Sequence, residues 1–377
     1  MNSESPVVSI CIVTFGALAR VQAAIEAVRS HTSMPYQLVV VDNGSTDGTR
    51  EWLRENLTVA QYIESPTNSG FSGGNNLAVN HATAPFVCLL NSDTVVPPLW
   101  IEPLIAAFDH DPNLGIAVPM LLNENGSVQE AGCHTDADGR AEPMYYGVES
   151  NDEHIQTPRS VVYGSAACWV LRTSTYREFG GLDCGYGLAY YEDVDFASKL
   201  RARGLRIQYV PGSKVVHAQG ASSNPDDAVR LRDAQQRRFA QKHATNLAHH
   251  SNIYDLDQEP HRFAAARDVD CATRTLHVLP TASALNALYN KISTSVPFSS
   301  GHHTLCNVTP QGISLVSRRA DVSIRADRAE SVITDHLFHF SMIRASQDWL
   351  HDQSALLTET QPQSEWSSEL PSDLASL

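Results

Sequence analysis

The sequence has no C-x-x-C pair, no excess of basic charge and no long apolar run, and each absence removes a class of protein. Its seven cysteines (Cys11, Cys88, Cys133, Cys168, Cys184, Cys271 and Cys306) are odd in number and scattered. That spacing argues against a zinc site or a disulfide framework and fits a reducing cytoplasm. Four of them lie in or beside apolar runs, where a free thiol behaves as a small hydrophobe. The formal net charge is -15, so the basic face of a general nucleic-acid binder is missing. Phosphate-bearing ligands stay open, because a metal and a few backbone amides hold a phosphate locally. The opening Met-Asn-Ser-Glu-Ser-Pro has no basic residue, and the apolar run from Val7 to Val13 is too short for a signal peptide. Nothing approaches the roughly 18 apolar residues of a membrane span. The expectation is a soluble cytoplasmic protein, touching a membrane only peripherally at its inner face. No G-x-G-x-x-G follows a strand, which weighs against a dehydrogenase, and there are no internal repeats.

What is present is globular. At 377 residues, of which 42% are hydrophobic, the chain exceeds one ordinary core, so a large domain with added material, or two domains, is expected. The first 120 residues alternate strand and helix patterns. Val7–Val13 is a short, β-branched, continuously apolar strand. Leu18, Val21, Ala24, Ile25 and Val28 form a helical stripe. Gln37–Asp42 is a second buried strand ending on an acid, and Ser45 or Thr46 caps a helix running to about Asn56. A short strand near Ala60–Ile63 follows, then a glycine-rich loop, a helix over 75–83 and a strand over Pro85–Leu90. Such alternation predicts parallel strands joined by crossover helices, an α/β sheet.

From about Gly115 to Tyr163 the pattern loosens into short strands. A strand is predicted over Val161–Leu171, with Gly164-Ser-Ala-Ala167 at its centre, then a helix over 193–203, strands over Leu205–Val210 and Lys214–His217, and a polar helix over 226–250. Further on, strands fit Thr275–Leu279, Ile313–Val316 and Val322–Ile324, and helices fit 281–291 and 328–349. Residues 353–377, rich in Ser and Gln and without Lys or Arg, read as a disordered tail.

In an open α/β sheet, ligands bind beyond the carboxyl ends of the strands. Thr14, Asp42 and Asn91-Ser-Asp93 stand at three successive strand ends, hence on one rim. Taken singly, an acid after a strand is more often a turn former or helix cap, and Ser-Asp-Thr suits the start of a helix that Pro97-Pro98 opens. The spacing and the company change the weighting. Val8-Ser-Ile-Cys-Ile-Val-Thr14, Val39-Val-Val-Asp-Asn-Gly-Ser-Thr-Asp-Gly-Thr49, Asn68-Ser-Gly-Phe-Ser-Gly-Gly-Asn-Asn76, Leu89-Leu-Asn-Ser-Asp93, Tyr191-Glu-Asp-Val-Asp195 and the later His217 occur in this order. Together they resemble the family 2 inverting glycosyltransferases with the GT-A fold, over residues 7–220, some three-fifths of the chain. Within that family the likeness is nearest to bacterial rhamnosyltransferases and galactofuranosyltransferases of cell-surface polysaccharide.

The resemblance implies a GT-A α/β fold, with a mostly parallel central sheet flanked by helices and a C-terminal extension. The catalytic domain would occupy 1–250, an extension of unassigned role 251–352, and the tail 353–377. It implies a nucleotide site of Thr14, Asp42, Asn68, Gly70, Gly74, Asn75 and Asn91, with Asp42 accepting from the imino N–H of uracil or thymine. Glycines there allow positive φ and close backbone approach to a diphosphate or ribose, although a plain turn explains such a loop about as well. A sugar diphosphate leaving group calls for a hard divalent ion on carboxylate oxygen. The family's Asp-x-Asp is here Asn91-Ser-Asp93, so the ion would rest on Asp93 and His217, with Mn²⁺ or Mg²⁺ suiting a mixed oxygen and nitrogen set.

Inversion needs a carboxylate base for the acceptor hydroxyl. By family position that base is Asp193, with Glu192 contacting the acceptor sugar and Asp195 turned away into structure. Acids opening a helix are also favoured by its dipole. Trp169 and the Tyr190-Tyr191 pair offer rings for a sugar face, or core packing. The implied reaction moves a sugar from a dTDP- or UDP-linked donor, dTDP-rhamnose first, to a saccharide or glycolipid acceptor. Two rivals stay open: a sugar-nucleotide pyrophosphorylase, which should carry a Gly-rich, basic loop after the first strand where Phe15-Gly-Ala-Leu-Ala stands, and a non-catalytic carbohydrate-binding relative.

Overall fold

Continuous aliphatic runs at the start of the chain become strands buried on both faces, as parallel strands covered by crossover helices must be. The computed structural model describes residues 5–57, 61–109, 111–152, 155–156, 158–218 and 225–247, with five strand segments further on. The chain divides into two units, residues 1–150 with 160–252 and residues 151–159 with 253–377.

The first unit opens with β1 (Val8–Thr14), α1 (Leu18–His31), β2 (Tyr36–Asp42), α2 (Thr49–Asn56), β3 (Gln61–Glu64), α3 (Gly70–Asn80) and β4 (Phe86–Asn91). Then come β5 (Thr94–Val95), α4 (Glu102–Ala106), β6 (Leu114–Leu122), β7 (Val128–Glu130), β8 (Cys133–Thr135), β9 (Ala141–Pro143), β10 (Arg159–Val161), β11 (Cys168–Arg172) and α5 (Thr173–Glu178). It ends with α6 (Glu192–Arg201), β12 (Arg206–His217), α7 (Pro225–Lys242) and α8 (Ala244–Leu247).

The sheet order is β10-β12-β6-β11-β4-β1-β2-β3, with β5 on β12 and β7 on β6. β1 runs parallel to β2 and β4, β2 to β3, and β12 to β6. β11 is antiparallel to both β4 and β6, and so joins two parallel halves. The predicted α/β architecture is therefore present. The parallel register sets Thr14 opposite Asp42 and Val13 opposite Asn91, so the three strand ends share one rim.

Several boundaries move. The glycine-rich loop is already helix, since α3 begins at Gly70. The strand predicted over Val161–Leu171 breaks over 162–167 into β10 and β11. The two strands predicted over 205–217 are one strand, β12, with a register shift between Val210 and Lys214. In the second unit, β13 (Arg274–Leu279), β14 (His302–Thr309), β15 (Gly312–Ser317), β16 (Met342–Arg344) and β17 (Glu365–Ser367) form a sheet ordered β15-β14-β13-β16-β17. β16 takes three residues from the helix predicted over 328–349, and β17 three from the predicted tail. The predicted helix 281–291 and strand Val322–Ile324 lie outside the described residues. Among the described residues no helix is long and apolar enough to cross a membrane.

Candidate active site

At the β1–β2 end of the rim, buried side chains hold one another. Thr14 Oγ1 donates to Gly16 O at 2.9 Å, and Ser45 Oγ accepts from Gly16 N at 2.7 Å. Asp42 is fully buried: one carboxylate oxygen accepts from Ser45 N at 3.0 Å and the other from Arg50 Nε at 2.7 Å. A buried carboxylate needs such partners, because leaving a charge unpaired there costs several kcal/mol. Arg50, on the first turns of α2, was not singled out in the sequence; its only signal was a cation eight residues after the acid.

The glycines of the Asn68–Asn76 motif serve packing. Asn43 donates to Asn68 Oδ1 and Gly70 O, and its own Oδ1 accepts from Ser69 N and Ser69 Oγ. Gly70 has φ +73°, and a Cβ on it would lie 2.2 Å from Gly187 O. A Cβ on Gly74 would lie 2.4 Å from Val13 Cγ1. The close approach that these glycines permit is therefore made by the protein's own chain, α3 against β1 and against the 187–188 segment. Asn75 is buried, with its amide donating to Phe71 O at 3.0 Å.

This gives a direct test. Gly70→Ala should destabilise by about 2–4 kcal/mol, strain and clash together. Gly48→Ala, at φ +87° with nothing within 4 Å of the added carbon, should cost only the strain, about 1–2 kcal/mol. Equal melting temperatures for the two variants would contradict the packing role.

The β4 and β12 ends bring Asn91, Asp93 and His217 together. β5 pairs antiparallel with β12, with His217 opposite Thr94, and Asp93 O accepts from Ala218 N at 3.0 Å. His217 Nε2 lies 3.3 Å from both Asp93 Oδ1 and Asn91 Nδ2, while Nδ1 lies 2.7 Å from Gln129 Oε1. His217 and Asp93 are both largely shielded, 11% and 17% exposed. One carboxylate and one imidazole face each other here, a mixed oxygen and nitrogen pair that fits Mn²⁺ or Mg²⁺ with phosphate and water oxygens left to complete the shell. The Asn91 amide turns its nitrogen to the ring, and its oxygen would join the set only with the amide reversed. Among the described residues no three His, Cys, Asp or Glu side chains form a metal cluster, consistent with Asn standing at position 91.

The acid cluster opens α6. Tyr190 and Tyr191 precede it with φ +75° and +71°, two consecutive non-glycine residues in a conformation that costs on the order of 1–3 kcal/mol each. They are held in place: Tyr191 OH accepts from Ala141 N at 3.2 Å, its ring meets Phe239 at 5.5 Å, and the Arg232 guanidinium lies 5.2 Å from the Tyr190 ring. Asp193 Oδ1 accepts from Val194 N at 2.8 Å and Oδ2 from Ala166 N at 3.3 Å. Ala167 O in turn accepts from Asn91 N at 2.9 Å. The break between β10 and β11 thus touches both the acid of α6 and the end of β4.

A third carboxylate joins them. Glu130 is buried at the end of β7 and accepts from Ser165 N at 2.9 Å. Burial pushes its carboxyl up to about 7, and burial then Asp193 push Glu192 up to about 8. Burial also raises Asp193 above the ordinary carboxylate range. Glu192 Oε2 is buried without a hydrogen-bond partner.

Asp195 behaves differently. Burial pushes its carboxyl up, but hydrogen bonds from His243, Lys199 and Lys242 outweigh this and hold it well below the usual range. It lies 2.7 Å from Lys199 and Lys242 and 2.8 Å from His243. It therefore ties α6 to α7.

One candidate is corrected. Trp169 cannot stack on an acceptor sugar, because it is fully buried: Nε1 donates to Gly164 O at 2.7 Å and its ring packs 6.0 Å from Phe196.

The family model for Glycosyl transferase family 2 matches residues 9–178. The chain is 25% identical over 253 residues to an N-acetylglucosaminyl-diphospho-decaprenol L-rhamnosyltransferase of Mycobacterium tuberculosis, covering 61% of this chain and 81% of that protein. It is 26% identical over 238 residues to the uncharacterized protein y4gI of Sinorhizobium fredii, covering 60% of this chain but only 26% of that one. Among solved structures, GalNAc-T7 with UDP, GalNAc and Mn²⁺ is similar with a TM-score of 0.49 and 16% identity, over 63% of this chain and 55% of that chain.

Proposed function

We propose that this chain, whose residues 9–178 match the Glycosyl transferase family 2 model, moves a sugar, with inversion, from a nucleotide diphosphate donor to an acceptor hydroxyl. The observation that carries this is the joining of two clusters through 164–167: Asn91, Asp93 and His217 on one side, Asp193 and Glu192 on the other. A leaving diphosphate and an incoming hydroxyl need opposite chemistry, and these two clusters, linked through one short segment, would divide it between them.

The base would lie at the Thr14 and Asp42 strand ends, where Ser45 N and Arg50 hold the buried Asp42 carboxylate. Asp93 and His217, with Asn91, would hold a divalent ion, Mn²⁺ or Mg²⁺, and such an ion would supply positive charge for a departing diphosphate. Asp193 accepts the proton of the acceptor hydroxyl on the opposite face. Burial suits that task, since a raised carboxylate is a stronger base once ionised. Glu192, with its unpartnered Oε2, donates to or accepts from an acceptor hydroxyl.

The rhamnosyltransferase relative supports rhamnose as the sugar, and the donor proposed first is dTDP-rhamnose, ahead of a UDP-linked hexose. The N-acetylglucosaminyl-diphospho-decaprenol in that relative's name supports a saccharide or glycolipid acceptor, which would place the protein at the cytoplasmic face of a membrane. A thermal-shift panel of sugar nucleotides with and without Mn²⁺ tests this. The true donor at a hundredfold excess over its Kd should stabilise by about 2.7 kcal/mol, and only with the ion present. Stabilisation by no nucleotide sugar, or equal stabilisation without Mn²⁺, would contradict the donor site as drawn.

A further inference from the structure

The strand β7 and the turn before it carry two side-chain amides that the mechanism above does not use. Asn123 Nδ2 donates to Ser127 Oγ at 2.9 Å and to Val128 O at 3.3 Å. A backbone carbonyl only accepts, and an amide nitrogen only donates. Val128 O therefore decides which end of the Asn123 amide faces Gln129: it is Oδ1. That oxygen accepts from Gln129 Nε2 at 3.2 Å, and Gln129 Nε2 also donates to His217 O at 2.9 Å.

With two acceptors on its nitrogen, the orientation of the Gln129 amide is fixed as well. Its Oε1 is the atom 2.7 Å from His217 Nδ1. Because Oε1 can only accept, Nδ1 is the nitrogen that carries hydrogen. A neutral imidazole has one N–H, so Nε2 keeps its lone pair. That lone pair accepts from Asn91 Nδ2 at 3.3 Å and lies 3.3 Å from Asp93 Oδ1, so an ion taken up there would displace the Asn91 N–H. Two backbone carbonyls, those of Val128 and His217, thus set the polarity of a short relay that ends on the ring.

We infer that Gln129 is a positioning residue, fixing His217 in its Nδ1–H form so that Nε2 is presented beside Asp93 to a divalent cation. The cation half of this inference rests on the metal site of the proposed function. Gln129 is itself buried, so water does not replace it freely. Without its acceptor, His217 Nε2–H would donate to Asp93 Oδ1, and the two side chains would close on each other instead of on an ion. Partners of this kind behind a ligating histidine typically control affinity by 10–100-fold.

Nitrogen NMR of histidine-labelled protein tests it, with the His217 resonances assigned by difference against His217→Gln. At pH about 8, where an ordinary imidazole is neutral, wild-type His217 should show the Nδ1–H tautomer. Gln129→Met should show Nε2–H and bind Mn²⁺ alone about 10–100-fold more weakly, titrated by the EPR signal of free ion. Gln129→Glu keeps an acceptor oxygen and should keep Nδ1–H, which separates tautomer control from general packing. A wild-type ring bearing hydrogen on Nε2, or a Gln129→Met ring that still holds it on Nδ1, overturns the positioning role. If the tautomers behave as expected but wild-type protein does not bind Mn²⁺, the metal reading falls while the tautomer assignment stands.

Discussion

Asp193→Asn is expected to lower sugar transfer by about 10²–10⁴-fold, the range a general base contributes, while nucleotide binding changes by less than about twofold on an affinity scale where a factor of ten is 1.4 kcal/mol. Asparagine keeps the shape of the side chain and one oxygen, so an acceptor for Val194 N or Ala166 N remains. What it loses is the ability to take a proton. Calorimetric titration of the donor nucleotide beside a transfer assay separates the two effects. A folded variant that no longer binds nucleotide would contradict the assignment.

The pH dependence of stability adds an independent reading of the same cluster. Glu130, Glu192 and Asp193 all have raised carboxyls, up to about 7 and about 8 for the first two. Between the ordinary carboxylate range and about pH 8, these three groups therefore hold more protons in the folded chain than in the unfolded one. By linkage, stability falls as pH rises through that window. Transfer moves the other way, since Asp193 must be ionised to act. Asp193→Asn removes one of the three groups, and it should flatten the fall in melting temperature with pH without lowering the melting temperature near pH 8.

The rim itself was legible in the sequence because parallel strands report their own ends. Val8–Thr14, Tyr36–Asp42 and Phe86–Asn91 are apolar runs that stop on polar residues, and parallel pairing aligns the stops. Gln129 and Glu130 were not legible. They sit in a three-residue strand inside the loosened stretch 115–163, where no periodicity marks an inward side chain. The packing role of the glycines was hidden for a related reason. Gly70 and Gly74 look like a ligand loop until their neighbours are known, and those neighbours, Gly187 and Val13, are remote in sequence. Arg50 resembled one more solvated cation on a polar helix. Only the fold shows that it is the partner of a buried acid.

Trp169→Ala is expected to destabilise the protein by about 3–5 kcal/mol, the cost of deleting a large buried aromatic, with loss of folded protein at moderate denaturant. Burial on both faces explains why the sequence left this residue ambiguous. In β11 the neighbours Cys168, Val170 and Leu171 are buried too, so no alternation distinguishes an open face from the core. The sharper variant is Trp169→Phe, which keeps most of the packing against Phe196 but removes the Nε1 donor from Gly164 O. Leaving that buried carbonyl unpaired should cost about 1–3 kcal/mol. Gly164 begins the segment whose Ala166 N reaches Asp193 and whose Ala167 O reaches the end of β4. A slackened segment should therefore lower kcat, because it blurs the distance between base and leaving group. KM for the acceptor should stay unchanged, since the ring does not touch the acceptor. A raised acceptor KM with kcat and stability intact would return Trp169 to the sugar site.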